Sequence, residues 1–376
     1  MSRRKFLLSA ALAASGLAFA DWKFSGLRAS RKNRLAFFTI NSAAVVPRMG
    51  FVTGGEVALH IVDVTSGEHQ AFSLPMETPH ALIQHPFQKN IVVVAPREKS
   101  RALVFDISKG EVVASLDLDG GRYFYGHGVF SKNGERLLLT AFDRKSNGFL
   151  LDYDKAWRPV RHIETFGKAP HDIRLCQGGD AVLIANNGWS RWSSYLEPSR
   201  TSVVMMETAS MKLIEKIELP EGHIAFQHLA ENDRGDFLVG CDYYGPDRST
   251  LGKYPSLLAY HRVGGPVDFF DMSVDMRVAT VGNILSVAWD EGSGTVITTT
   301  PEGPVTLWSL PEMKATKQIL MGRHPHGVAI NENDLFVTTA NSGVLWAARS
   351  SSEIENFARL RTSSLVNISA HATWLA

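Results

Sequence analysis

A histidine, a short apolar segment, a polar turn and a second apolar segment recur along this chain. The copies read "TPHALIQHPFQKNIVVVAPR", "YGHGVFSKNGERLLLTAFD", "APHDIRLCQGGDAVLIANNG", "FQHLAENDRGDFLVGCD" and "RHPHGVAINENDLFVTTANSG". A further stretch, "GNILSVAWDEGSGTVITTTPEG", keeps the plan with serine in the histidine's place. The anchors are His80, His127, His171, His228, Ser286 and His326, spaced 40 to 58 residues apart. Self-similarity at such a period predicts a repeat architecture in which each unit buries its apolar faces against its neighbours. After each anchored pair comes a third apolar segment ending near an Asp or its equivalent, as in "RALVFDISKGEVVASLDL", and then a fourth. Short segments divided by Gly, Asn, Asp and Lys turns, with almost no helical periodicity, read as strands. Four short antiparallel strands per unit describe a propeller blade rather than a sandwich. Residues 34–77 supply one more unit without a histidine, so the chain is predicted to be all-β, a seven-bladed β-propeller with four antiparallel strands per blade. The tail, "SSLVNISAHATWLA", is expected to close the ring with the N-terminal strand.

With 376 residues, 44% hydrophobic, the chain can bury a large core. Its formal net charge of +1 leaves no field to attract nucleic acid or an anionic membrane. The first twenty residues stand apart: a basic start, an apolar run from Phe6 to Leu17, and an Ala18-Phe19-Ala20 end of the A-x-A type. Residues 1–20 are thus expected to be an export signal. Arg3-Arg4, followed by Lys5-Phe6-Leu7, resembles the twin-arginine address that carries folded cargo to the periplasm. A membrane anchor is the competing reading, but the apolar run is shorter than the roughly 20 residues a spanning helix needs. Residues 21–33 then form a linker and residues 34–376 the single propeller domain, with no membrane span in the mature chain. Cys176 and Cys241 are the only cysteines, too few for a disulfide scaffold; they read as two core thiols, with one bridge as the alternative.

In a propeller the first strand of each blade lines the central channel, so residues at one repeat position form a ring. Five of the seven ring positions here are histidine: His80, His127, His171, His228 and His326. Because the second strand runs back antiparallel, its end returns to the same mouth. Arg97, Asp143, Asn187, Asp242, Glu302 and Asn341 are therefore expected beside the histidines, as ligands or as groups that orient them. Neutral imidazole is the commonest protein ligand for late first-row metals, so the ring suits an iron or copper ion. A seven-strand ring is wide for five side chains to reach one ion at roughly 2.0–2.1 Å, but an adjacent subset such as His80, His127 and His171 can close. Two other readings stand beside this one: imidazoles that bond neighbouring blades, and a polar pocket for a small anion or organic ligand. His85 and His324, each beside a proline, read as turn or rim residues. The aromatic, Gly- and Pro-rich insertions at 186–200 and 242–256 are candidate docking loops on a rigid frame, which makes a protein-docking scaffold the rival function.

Other chemistry is not signalled. The chain has no G-x-S-x-G elbow, C-x-x-C pair, C-x-x-C-H haem attachment motif, phosphate-cradling loop or H-E-x-x-H helix. An enzyme acting on a small ligand in the channel mouth stays open, with no substrate named.

The pattern "PHGVAINENDLFVTTAN" resembles the YVTN-type repeat of the WD40-like propeller superfamily. Over nearly the whole mature chain, "YGHGVFS.NG", "G.APHDIRL", "LIANNG", "QHLA", "SLLAY", "GN.LSVA" and "TTPEG" are similar, in order, to an uncharacterised bacterial propeller family with twin-arginine signals, a domain of unknown function. Genes of that family lie beside imelysin-type iron-uptake proteins. The resemblance thus implies periplasmic iron acquisition as the setting, imelysin-type proteins as partners, and no particular reaction. The chain departs from the family pattern at Glu302, where arginine is usual, and in "WSRWSSYLEP", where a histidine-proline loop is expected.

Overall fold

Runs such as "IVVVAP" and "AVLIAN" are apolar on both alternating faces, and both are buried along their whole length. A strand of that kind needs apolar cover on each side. The computed structural model supplies it by stacking small sheets face to face. It describes residues 34–41, 56–63, 68–188, 201–219, 223–245, 254–280, 282–300, 303–320, 325–330, 334–339, 343–348, 358–359 and 368–375. Among these, the secondary structure is antiparallel strand throughout, apart from a 3-10 turn at Gln177–Gly179 and a six-residue helix, Val274–Ala279.

Five sheets have four strands and one has eight. The eight-stranded sheet consists of two four-strand runs, Pro79–Gln84 to Glu111–Asp117 and Arg122–Phe130 to Pro159–Lys168. They are joined where Ile91–Lys99 overshoots its own run and pairs with Arg122–Phe130, at Arg97↔Tyr125 and Lys99↔Phe124. In the next four sheets strand order follows chain order, beginning at Pro170–Cys176, Ile224–Glu231, Ser286–Asp290 and Pro325–Ile330. The remaining sheet joins the two ends of the chain. Ile368–Leu375 pairs antiparallel with Arg34–Asn41, Arg34 opposite Leu375, as the tail's pattern suggested.

The leading strands touch one another in chain order, and Ile368–Leu375 touches both Pro325–Ile330 and Pro79–Gln84. Apolar layers fill the gaps between sheets. Leu59 and Ile61 pack with Val92, Val94 and Leu103; Val93 and Ala95 with Leu137 and Leu139; Leu138 and Leu150 with Val182 and Ile184. Each wholly buried Val, Leu, Ile or Phe contributes about 1.5–3 kcal/mol relative to an exposed one. Trp308, the bulkiest fully buried side chain among the described residues, packs edge-on against Phe270 at 5.6 Å and donates its Nε1–H to Thr298 Oγ1 at 2.9 Å. Cys176 and Cys241 lie unbridged in the same apolar layer, so the core-thiol expectation holds.

The expected signal segment 1–20 and linker 21–33, together with Glu302, His324, Asn341 and residues 189–200 and 246–253 of the two insertions, lie outside the described residues. No described helix is long and apolar enough to cross a membrane.

Candidate metal centre

Each anchor histidine stands at or beside a break in strand register. The breaks fall between Pro79 and Ala81, Phe124 and Gly128, Pro170 and Asp172, Phe226 and His228, and Pro325 and Val328. The strand that carries Ser286 instead pairs with Thr295–Thr299 without a break. A β-bulge re-aims the side chain of the extra residue, so the break is the local device that turns these imidazoles from the strand faces toward one another.

Four of them meet. The ring centroids of His80, His127 and His171 lie 4.9 to 5.2 Å apart, and the ligand atoms of these three fall within 4.8 Å of one another. His228 joins them at 4.8 Å from His171, 5.5 Å from His127 and 6.4 Å from His80. His326 occupies the equivalent place on Pro325–Ile330, where its carbonyl accepts a hydrogen bond from Thr299 Oγ1. Gly126 makes room for the group. Its φ is +109°, and a Cβ there would sit 2.3 Å from His80 Cδ2. Gly126→Ala is therefore expected to push the His80 ring aside and to lower the affinity of the histidine cluster for an added metal ion by about tenfold or more, the size of effect that loss of ligand support has at metal sites. A metal titration run beside thermal unfolding checks this, and unchanged affinity contradicts it.

His171 is fully buried, and neither of its ring nitrogens has a hydrogen-bond partner. Burial, reinforced by His228 and His127, holds its pKa well below the ordinary 6.5. Burial and His127 do the same to His228. Both rings are thus neutral near pH 7, the form that binds metals.

Asp172 orients His127. Its Oδ1 lies 3.1 Å from His127 Nδ1 and also accepts the Ile173 N–H at 2.8 Å. Its Oδ2 takes the Leu229 N–H at 2.9 Å and Arg174 Nη2 at 3.1 Å. Burial opposes the carboxylate's charge, but Arg174 and His127 override it and keep the pKa well below the usual range. A carboxylate on Nδ1 places the N–H there and leaves the lone pair on Nε2, the arrangement common behind metal-bound histidines.

The other expected neighbours divide. Asp242 is buried, accepts hydrogen bonds from Gln227 Nε2 and from Tyr244 Oη at 2.9 Å, and is pushed by burial up to about 7. Arg97 holds its guanidinium over the Tyr125 ring at 5.7 Å, and that ring packs edge-on to His171 at 4.9 Å. Asn187 is buried, with its N–H donated to the carbonyl of Ala169 beside the His171 strand. Asp143 commits both carboxylate oxygens to its own turn, accepting from the Lys145 and Asn147 N–H groups and from Asn147 Nδ2. His85 is a turn residue as expected, its Nδ1 accepting from the Phe87 and Gln88 N–H groups. Sequence reasoning passed over Asp172, Gln227, Tyr125 and Tyr244. An acid between buried apolar residues in "PHDIRL", and polar or aromatic neighbours in "FYGH" and "FQH", were the available signals.

Among solved structures the chain is similar to one from Kuenenia stuttgartiensis hydrazine synthase, with a TM-score of 0.62, 13% identity, and 82% of this chain and 99% of that one covered. It is also similar to a chain in a crystal structure of a mitotic checkpoint complex, with a TM-score of 0.52, 12% identity and 79% of each chain covered. At these identities the likeness concerns the fold alone, which is β-propeller- and WD40-like. No curated protein matches the chain. Residues 74–366 match the family described as "Protein of unknown function (DUF1513)", and the chain belongs to that family.

Proposed function

We propose that this is an exported seven-bladed propeller that holds one iron or copper ion on His80, His127, His171 and His228, with His326 beside them, in iron uptake or redox handling. The observation that carries the reading is His171, buried at the centre of three other imidazoles with both nitrogens unpartnered. Leaving a buried polar group without a partner costs about 1–3 kcal/mol, and a bound ion removes that cost on one nitrogen. The Asp172–His127 pair supports the same reading, because it presets the tautomer a metal requires. Counting the eight-stranded sheet as two blades supports the seven-unit reading, and the order in which the leading strands touch supports a ring. The periplasm, the twin-arginine route and imelysin-type partners belong to the same proposal, on the strength of residues 1–20 and the family resemblance.

The test is elemental analysis of protein exported by its native route and purified without chelators or a histidine tag. Close to one iron or copper per chain is expected. Metal-free protein that also fails to take up either ion would leave docking through the 186–200 and 242–256 loops as the better account.

Acidity should act late. A proton competes with the ion for an imidazole only below that group's pKa in the folded protein, and those of His171 and His228 lie well under 6.5. Metal content is expected to stay level from pH 7 down through pH 6.5, then fall steeply in more acid solution as protons displace the ion. Dialysis in pH steps measures this, and release that begins near pH 6.5 contradicts it.

A further inference from the structure

The four imidazoles that meet are arranged in depth rather than in a plane. Their six centroid separations run from 4.8 to 6.4 Å. In a square, both diagonals would exceed all four sides. The long separation here, 6.4 Å between His80 and His228, stands opposite 5.0 Å between His127 and His171, which is shorter than two of the sides. Neighbouring rings are steeply inclined, by 83° between His80 and His127, 66° between His127 and His171, and 70° between His171 and His228. The rings thus stand at the corners of a distorted tetrahedron. Copper(II) favours a square-planar or tetragonal set, whereas a closed-shell d10 ion, such as copper(I) or zinc(II), accepts a tetrahedral one.

The cluster also brings no charge of its own. Four imidazoles ligate as neutral groups, and among the described residues no carboxylate or thiolate joins His80, His127 and His171 in a set of ligand atoms close enough to hold an ion. The carboxylate behind them, Asp172, is wholly buried and already matched by Arg174, whose Nη2 lies 3.1 Å from Oδ2. Asp143 is turned into its own loop, and Asp242 accepts from Gln227 and Tyr244. An ion bound here therefore keeps its whole charge in a buried place. In the Born description the cost of such burial rises with the square of the charge, so a divalent ion bears it far more heavily than a monovalent one.

We infer that the cluster holds copper as the monovalent ion, copper(I), in preference to copper(II), zinc(II) or iron(II). Shape sets copper(II) aside; charge sets aside all three divalent ions, including zinc(II), which shares the shape. This rests on the metal reading above and names the ion. A site that binds copper(I) more tightly than copper(II) raises the reduction potential of its copper and keeps it in the reduced form.

The test titrates metal-stripped protein anaerobically with copper(I) in competition with the copper(I) chelator bathocuproine disulfonate, and measures copper(II), zinc(II) and iron(II) separately by equilibrium dialysis. The Irving–Williams order puts copper(II) ahead of the other two at an ordinary site, so copper(II) is the decisive competitor. Copper(I) is expected to bind the wild type more tightly than each divalent ion by about a hundredfold or more. For the copper pair that factor lifts the one-electron potential by about 120 mV, at about 59 mV per tenfold. Arg174→Gln leaves the Asp172 charge unmatched beside the histidines and should narrow the preference for copper(I) over copper(II) by about tenfold. A divalent ion bound as tightly as copper(I), or more so, overturns the inference and leaves the metal site standing. An unchanged preference in Arg174→Gln also overturns it, because charge is then not what selects the ion. Binding of none of the four ions removes the metal reading and the inference with it. Should Arg174→Gln fail to fold, the wild-type comparison still decides.

Discussion

His171→Leu is expected to abolish metal binding and at the same time to stabilise the metal-free protein. The imidazole is fully buried and neither ring nitrogen has a partner, so the metal-free fold bears its desolvation without return. An apolar side chain of similar size removes that cost, about 1–3 kcal/mol. Unfolding of the metal-stripped variant by heat or denaturant should thus occur a few degrees higher, or at correspondingly more denaturant, than for stripped wild type. Copper or iron affinity should fall by more than the roughly 10- to 100-fold that loss of an outer-shell partner brings, because a ligand itself is gone. The two readouts move in opposite directions only if the histidine is kept for a ligand. A variant less stable than the wild type without metal would mean that the imidazole is a structural residue, as the blade-bonding reading of the repeat supposes.

Asp172→Ala should have the larger effect on folding. The carboxylate is wholly buried and serves His127, Arg174 and the Ile173 and Leu229 N–H groups together. Removing one partner of a buried ion pair typically costs about 3–5 kcal/mol. The low end applies here, because the Arg174 side chain is 40% exposed and keeps a route to water. Asp172→Asn retains the shape and an acceptor for His127 but not the charge. It should fold, and bind metal about 10- to 100-fold more weakly. Denaturation curves and a metal titration on both variants measure this. Full affinity in Asp172→Asn would show that the carboxylate serves only the fold.

Much of the architecture was legible in the chain. The repeat of histidine, strand, turn and strand set the number and length of the leading pairs, and the doubly apolar run "AVLIAN" announced a strand covered on both faces. Even the union of "ISAHATWL" with the N-terminal strand followed from unpaired strand patterns at the two ends. Strand periodicity and turn residues are local properties, so a single chain displays them. The candidate site was legible only in outline. His80, His127, His171 and His228 share a repeat position, but a regular strand there would have aimed them along the strand faces; the register breaks that gather them depend on which residues oppose one another across the pair.

Asp143 and Asp242 illustrate the same limit. Both end the second strand of a unit and looked equivalent, yet one turns back on its own loop and the other is buried against Gln227 and Tyr244. Residue type and spacing by themselves determined an all-β repeat chain with imidazole at one recurrent position, because side-chain period and turn chemistry act between near neighbours. Tertiary structure alone decided which rings converge, that Asp172 stands behind His127, and that Arg97 is clamped between two histidine strands. Those are contacts between segments some 20 to 150 residues apart in the chain, and their energies depend on burial and on distances that no local pattern encodes.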